Sequence, residues 1–307
     1  MPTLLTLSDV RLQEKVLNLK LNAALAVKHA NGWQRLIDLY GEEKATAFYT
    51  HLGLNHLEKK SIEWDGLTLS REPKEHEKIA VKGIHGAQES AKESISTILL
   101  SLREELITDG VKRIKKLKPA TYHELTLQAS MGSREDLREQ LIKIHRHGSR
   151  LVAIELGGQG KGYKAAAEDE FDDLDMLTDL TTSRVANDVQ SRIIDAATRH
   201  ALLGQTGAGL INAVTNEITG GSVTYIDRAA RGLANKVINI GRSDEMSERS
   251  DDIDRYSYSA LLDQNTCPSC LDDDGKEAPS PNDLPDTPNP DCDGSDFCRC
   301  FIIAIAE

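Results

Sequence analysis

The sequence predicts a mainly α protein: an elongated helical hairpin or bundle, followed by a small α+β C-terminal module in which a metal staples a pair of strands. Three observations carry this prediction. Apolar residues recur at helical spacing through most of residues 1–242. All five cysteines lie between Cys267 and Cys300. Two short runs of strand character, 256–262 and 301–306, flank the cysteine-bearing loop. The expected division is an N-terminal helical region (1–73), a long helical hairpin (74–222) and a C-terminal module (223–307).

Leu12, Val16, Leu19, Ala23 and Ala26 fall on one helical face, and Leu36, Ile37, Leu39 and Tyr40 continue the pattern after Trp33. Residues 64–73 are polar and turn-like and mark a boundary. A long helix is then expected over 74–118, with the stripe Ile84, Ala87, Ala91, Ile95, Ile98, Leu102 and Leu106. Its basic last turn (Lys112, Arg113, Lys115, Lys116, Lys118) suits the negative end of the helix dipole. Ser133-Arg-Glu-Asp136 reads as a capping box for the next helix, which carries Leu137, Leu141, Ile144, Val152 and Leu156. His145 and His147 within it are expected on the surface, since residues two apart do not share a face.

Gly157-Gly-Gln-Gly-Lys-Gly162 lacks the spacing and the Ser or Thr of a phosphate loop and reads as a connector. An acidic helix start at 168–175 leads into a stripe of Leu177, Val185, Val189 and Ile193, which ends near a structural His200. Glycine-rich segments bracket a short helix over 210–218. The helix expected over 224–242 has Ile226, Ala230, Leu233, Val237 and Ile240 on its apolar face, and Arg228, Arg231 and Arg242 as candidate binding residues on its exposed side.

The cysteine loop has almost no large apolar residue between Leu271 and Asp296, so it cannot offset its own ordering entropy by burial. Metal binding can, because structural zinc contributes roughly 10–16 kcal/mol in small modules. An odd cysteine count, CxxC spacing and an N-terminus without a basic or continuous apolar segment point to a reducing cytoplasm rather than to a disulfide framework. No run approaches the roughly 18 apolar residues of a membrane span. Cys267-Pro-Ser-Cys270 supplies one pair of thiolates, and Cys298-Arg-Cys300 with Cys292 supplies the other side, so four sulfurs from five candidates complete a zinc-stapled strand pair.

Enzymatic readings of the same residues fail. No H-x-E accompanies the cysteines as a zinc deaminase requires, and His76-Glu77 and His123-Glu124 lack the second histidine of a zincin helix. Asp272-Asp-Asp-Gly275 has the wrong alternation for a calcium loop. The expectation is a protein without catalytic activity. The net charge of −12, with ten acids against Lys276 and Arg299 between residues 261 and 300, opposes a phosphate grip in that loop. Aromatic residues are 4% of the chain, too few for base-stacking platforms. A zinc-containing nucleic-acid-binding protein remains the alternative. It requires the α-helical arginines and the basic run at 112–118 to form one positive face.

The last third resembles the phage head morphogenesis proteins of the SPP1 and Mu F-like minor capsid type. The resemblance rests on Ala230-Arg231 followed by Asn239-Ile-Gly-Arg242, on Leu262-Asp-Gln-Asn-Thr-Cys-Pro-Ser-Cys270, on Asp274-Gly-Lys276 and on Cys298-Arg-Cys300 before a final strand. It departs from the family at Gly232-Leu233, where Thr-Glu is usual, and at Ser295-Asp-Phe297, where His-Pro-x precedes the C-R-C; Cys292 is the natural substitute ligand. The resemblance implies a virion component present in few copies and made in the host cytoplasm. Its partners would be the portal protein and other head proteins, at the portal vertex or capsid interior, with packaged DNA as a further contact.

Overall fold

The computed structural model describes residues 62–157, 171–221, 223–260, 262, 268–290, 292 and 298–306. The helices expected between residues 12 and 52, most of the 157–162 connector, the acidic start at 168–170 and Cys267 lie outside the described residues.

The described chain opens with a β-hairpin, β1 (Ile62–Trp64) and β2 (Leu67–Leu69), where the sequence suggested only a turn-like boundary. Asp65 and Gly66 form its two-residue turn with φ of 49° and 79°, the left-handed pair that Asp-Gly supplies and that matches strand twist. Helix α1 (Glu77–Ile114) follows, and its 38 residues span about 57 Å. A short 3₁₀ turn (Pro119–Glu124) leads to α2 (Met131–Glu155), then α3 (Asp172–Leu202), α4 (Gly207–Thr219) and α5 (Thr224–Glu248). The cap of α2 is Ser130 rather than Ser133: the Ser130 hydroxyl accepts from the Ser133 N–H, and Ser133 is the third helical residue.

The four long helices pack into a bundle around one apolar core. Ile84, Ile95, Leu102 and Leu106 of α1 meet Leu137 and Leu141 of α2, Val189 and Ile193 of α3, and Ala230, Val237 and Ile238 of α5. Among the described residues no helix is long and apolar enough to cross a membrane. Helices α2 and α5 touch backbone to backbone at Gly148 and Gly241. A Cβ on Gly148 would fall onto the carbonyl oxygen of Ile238, and one on Gly241 onto the carbonyl oxygen of His145.

The C-terminal elements are β3 (Arg255–Ser259), α6 (Pro268–Asp273), β4 (Glu277–Ala278) and β5 (Phe301–Ile305). They form an antiparallel sheet in the order β4-β3-β5, with Tyr256 opposite Ala304 and Ser257 opposite Ile303. The expected strand pair is present, and β4 adds to it. Side chains alternate across a strand, so Phe301, Ile303 and Ile305 enter the helical core while Ala304, Tyr256 and Tyr258 face the cysteines. Burial on both faces is why residues 301–305 read as a continuous apolar run rather than an alternating one.

His145, expected on the surface, is 3% exposed. Its Nε2 lies 2.7 Å from Asp244 Oδ2 and its ring stands edge-on to Phe171 at 5.3 Å. The close approach of α2 to α5 at the two glycines is what draws it inside.

Replacement of Gly148 or Gly241 by alanine must push two helix backbones apart. Each variant is expected to lose about 1–3 kcal/mol in chemical denaturation. Gly132→Ala is the control: nothing lies near its Cβ, so its stability is expected to stay level or rise. Equal midpoints for all three variants would contradict the backbone contact.

Candidate metal centre

Cys270, Cys292 and Cys298 bring their sulfurs within 4.8 Å of one another, and all three are buried. Cys270 sits on α6, whose first residue Pro268 is preset for a helical start. Cys292 is held by its N–H bond to Asn289 O at 3.1 Å. Cys298 and Cys300 lie just before β5 and are both buried in the cluster, while Arg299 between them reaches Gln88 Oε1 at 2.9 Å and Glu89 at 3.4 Å. Cys300 is buried in the same cluster as Cys270, Cys292, Cys298 and Tyr258.

The spacing suits a metal. Four thiolates at about 2.3 Å around a tetrahedral ion lie about 3.8 Å from one another. Cys270 Sγ and Cys298 Sγ are 4.0 Å apart. Three buried cysteines can therefore hold one ion, with Cys300 and Cys267 as the two candidates for a fourth position. Hydrogen bonds from Cys270, Cys292 and Cys300 pull the Cys298 thiol well below its usual range, whereas the same contacts push Cys270 up. The Tyr258 hydroxyl, 3.8 Å from Cys270 Sγ, is kept protonated by burial and by the neighbouring sulfurs, and it donates to them.

Helix α5 fixes the strand that carries Cys298 and Cys300. Asn235 Nδ2 donates to Cys298 O (2.7 Å), Asn239 Nδ2 to Cys300 O (3.0 Å) and Arg242 Nη2 to Ile302 O (2.6 Å). Arg242 also forms a two-pronged bond to Glu155, Nη1 to Oε1 at 2.5 Å and Nη2 to Oε2 at 2.8 Å, with both side chains almost fully buried. The expectation of an exposed Arg242 is thereby corrected: its charge is satisfied by a carboxylate from α2, and its place is inside. Arg231 is half-buried, 3.9 Å from Glu89, and Arg228 is exposed. The basic run at 112–118 lies elsewhere. Lys92 pairs with Asp227 at 3.1 Å, and residue 112 is about 30 Å further along α1, so the two basic groups do not share a face.

A second tie anchors the loop that bears Cys270. Asp274 takes Arg71 Nε at 2.5 Å and the Ala260 N–H at 2.8 Å, while Arg71 also grips Glu77 through both terminal nitrogens at 2.7 Å. Gly275, at φ 80°, makes the turn that lets its N–H reach Tyr258 O at 2.8 Å. Burial alone would raise the Glu77 pKa, but the Arg71 hydrogen bond and the Lys74 N–H outweigh it and hold the carboxyl below its usual range.

Sequence reasoning found the cysteines, Asn239 and Asp274 but missed Asn235, Glu155, Arg71 and Tyr258. Asn235 had a readable signal: with Asn239 and Arg242 it stands at i, i+4 and i+7, a polar line beside the apolar face. Glu155 and Arg71 are far from their partners in sequence and gave none. Comparison with family models, curated proteins and solved structures finds no match to this chain.

Two outcomes follow from these ties. Arg242→Met leaves Glu155 as a buried lone charge and is expected to cost about 3–5 kcal/mol, and Arg242→Met with Glu155→Leu should recover most of it. Denaturation of these two variants and of Glu155→Leu alone completes a double-mutant cycle, and an uncoupled, additive pair would refute the link. A carboxyl with a depressed folded pKa stabilises above its unfolded value of about 4.3 and loses that contribution as pH falls through the lower folded value. Wild type should therefore lose stability in acid below about pH 4 more steeply than Glu77→Gln, as read by denaturation between pH 7 and pH 2.

Proposed function

We propose that the cysteine cluster is a structural zinc site and that the chain is a minor head protein of a tailed phage, docked at the portal vertex and supporting head assembly, DNA packaging or genome delivery. One observation carries the reading. Most of the residues on which the family resemblance rests, scattered between 239 and 300, converge on a single unit: Asn239 and Arg242 bond Cys300 and Ile302, Cys270 shares a cluster with Cys298, and Asp274-Gly275 closes the turn beneath it. A set of matched positions that is also one physical assembly is better support than the same matches spread over a surface.

Zinc fits the donor set, since buried thiolates in a reducing compartment favour it. Four sulfurs close the shell and leave no position for water, so the role is structural rather than catalytic. The metal module would then be a rigid docking head, and the bundle with its helix of about 57 Å a strut that carries it. A shell-forming coat subunit is disfavoured because the sheets among the described residues have only two and three strands. The nucleic-acid alternative is weakened by the separation of the two basic groups.

Metal analysis of the purified chain is expected to give about one zinc. Cys270→Ser should lower that content and increase amide exchange in residues 255–306, leaving α1–α3 protected. Particles imaged at the portal vertex should show this chain in a ring of few copies, and deletion of its gene should cut the yield of filled heads. Copies spread over the whole shell, or normal titre after deletion, would sink the assembly role. A folded C-terminus without metal would sink the zinc role independently.

A further inference from the structure

Helix α1 runs from the metal centre to an end of the bundle that the centre does not use. Arg299, between Cys298 and Cys300, meets Gln88 of α1, and Lys112 lies about 36 Å further along the same helix. α3 finishes at that end too. Glu105 of α1 bonds Ser130 and Ser133 at the start of α2, while Gly83 lies against Leu151 near the end of α2, so α1 and α2 are antiparallel. Arg134 and Arg138 of α2 pair with Asp179 and Asp175 of α3, so these two are antiparallel as well. α1 and α3 therefore run the same way, with Ile193 against Gly110. Beyond that contact Leu202 is about 14 Å onward along α3, and Lys115 about 8 Å onward along α1.

Leu202 and Leu203, the last residue and the cap of α3, are 84% and 71% exposed. The chain stays exposed from there through Gly209, so the leucines stand on a protruding turn rather than in a packed seam. No acid occurs between Asp195 and Glu217. At the same end Lys112, Lys115, Lys116 and Lys118 are exposed and form no ion pair among the described residues; Arg113 of this run is paired, to Asp109 at 2.7 Å. The 3₁₀ turn Pro119–Glu124 packs against α3 and holds the lysine run beside that helix. The result is a basic and apolar tip on a chain of net charge −12. The dipole of α1 accounts for lysines at its end. It does not account for two leucines left in water beside them. Met176 and Leu180, another exposed apolar pair on α3, stand instead among Asp172, Asp173, Asp175 and Asp179.

We propose that this tip docks on the surface of an anionic phospholipid bilayer, with Leu202 and Leu203 entering the boundary of the acyl chains and the four lysines facing the headgroup phosphates. Neither signal is sufficient by itself, because stable surface binding takes an apolar insertion together with a basic patch. The tip supplies both at one end of the bundle. Successive helical residues point about 100° apart, so a rigid partner face would cover one leucine and leave the other wet. A fluid layer surrounds both. Nucleic acid would engage the lysines and leave both leucines in water. The proposal rests on the tip alone, and it stands whether or not the cysteines hold zinc and whatever particle the chain belongs to.

The test measures co-flotation of the full-length, metal-loaded chain with vesicles of phosphatidylcholine containing about one third phosphatidylglycerol, at roughly 0.1 M salt, where the screening length is about 10 Å. Vesicles of phosphatidylcholine alone are the reference. Partition onto the anionic vesicles is expected to exceed the reference at least about fivefold. Leu202→Gln/Leu203→Gln should lower that partition at least about fivefold, and so should Lys112→Gln/Lys115→Gln/Lys116→Gln/Lys118→Gln. Met176→Gln/Leu180→Gln removes an equal number of exposed apolar side chains elsewhere and should leave partition within about twofold. Every substituted side chain is exposed, so the core is untouched. Absence of binding to the anionic vesicles overturns the proposal, as does equal binding to the reference vesicles. A smaller loss in either tip variant, or an equal loss in the Met176/Leu180 variant, overturns it as well. Binding that needs the lysines but not the leucines overturns it in favour of a contact with phosphate alone, of the kind nucleic acid would make.

Discussion

Three side chains on one face of α5 take the place of a neighbouring strand. Asn235, Asn239 and Arg242 each donate to a carbonyl on alternate residues 298, 300 and 302. A helix advances about 6 Å from i to i+4 and about 4.5 Å from i+4 to i+7. A strand advances about 6.6 Å per two residues. The first pair therefore matches closely, and the second falls short by about 2 Å. The longer arginine stands at the short end, which explains why the third position is not another asparagine. The ladder serves two purposes at once: it satisfies the open edge of β5, which would otherwise invite pairing with another chain, and it sets the height at which Cys298 and Cys300 present their sulfurs.

That ladder depends on α5 being held rigidly, and the bundle supplies the rigidity. Gly148 and Gly241 let the α2 and α5 backbones touch, and this contact brings Glu155 to the guanidinium of Arg242. A bulkier residue at either glycine would move the carboxylate away from a buried cation. The metal loop is thus tied to the bundle through a chain of contacts from glycine to carboxylate to arginine to strand. On the opposite side Arg71, Glu77 and Asp274 perform a similar task with the start of α1. The charges in both ties are matched within the protein, which is the condition under which buried ions are tolerated.

The parts of this arrangement that were legible in the sequence are those set by local periodicity or by residue scarcity. The helical stripes of α1, α3 and α5 follow from 3.6-residue spacing, and the cysteines stand out because the chain has no others. The β1–β2 hairpin carried its own signature in Asp65-Gly66 and was read as a mere turn because its strands are three residues long. β4 has two residues and no pattern of its own; it exists because β3 offers it an edge. Arg242 reads as a surface residue in isolation. Only its distant partner Glu155 makes burial tolerable, and a single sequence does not pair residues 87 positions apart. His145 went inside for the same kind of reason, since Gly241 on another helix removes the space that solvent would need.

The two ties also decide what a bound metal would add. The core formed by α1, α2, α3 and α5 is apolar and continuous, and it includes Phe301, Ile303 and Ile305 from the last strand. It needs no ion to bury its surface. The loop between α6 and Cys298 has Leu284 as its one buried large aliphatic residue among those described, and its other anchors are polar: the Asp274 tie to Arg71, the pairing of β4 with β3, and hydrogen bonds at Asp273 and Asn289. An ion held by the sulfurs would therefore act on a segment whose position α5 has already fixed. The Cys298–Cys300 half of the cluster is set by the α5 side chains. The other half, Cys270 and Cys292, is set by the Asp274 tie and by the Asn289 turn, so the fold itself brings the sulfurs to metal-binding distance.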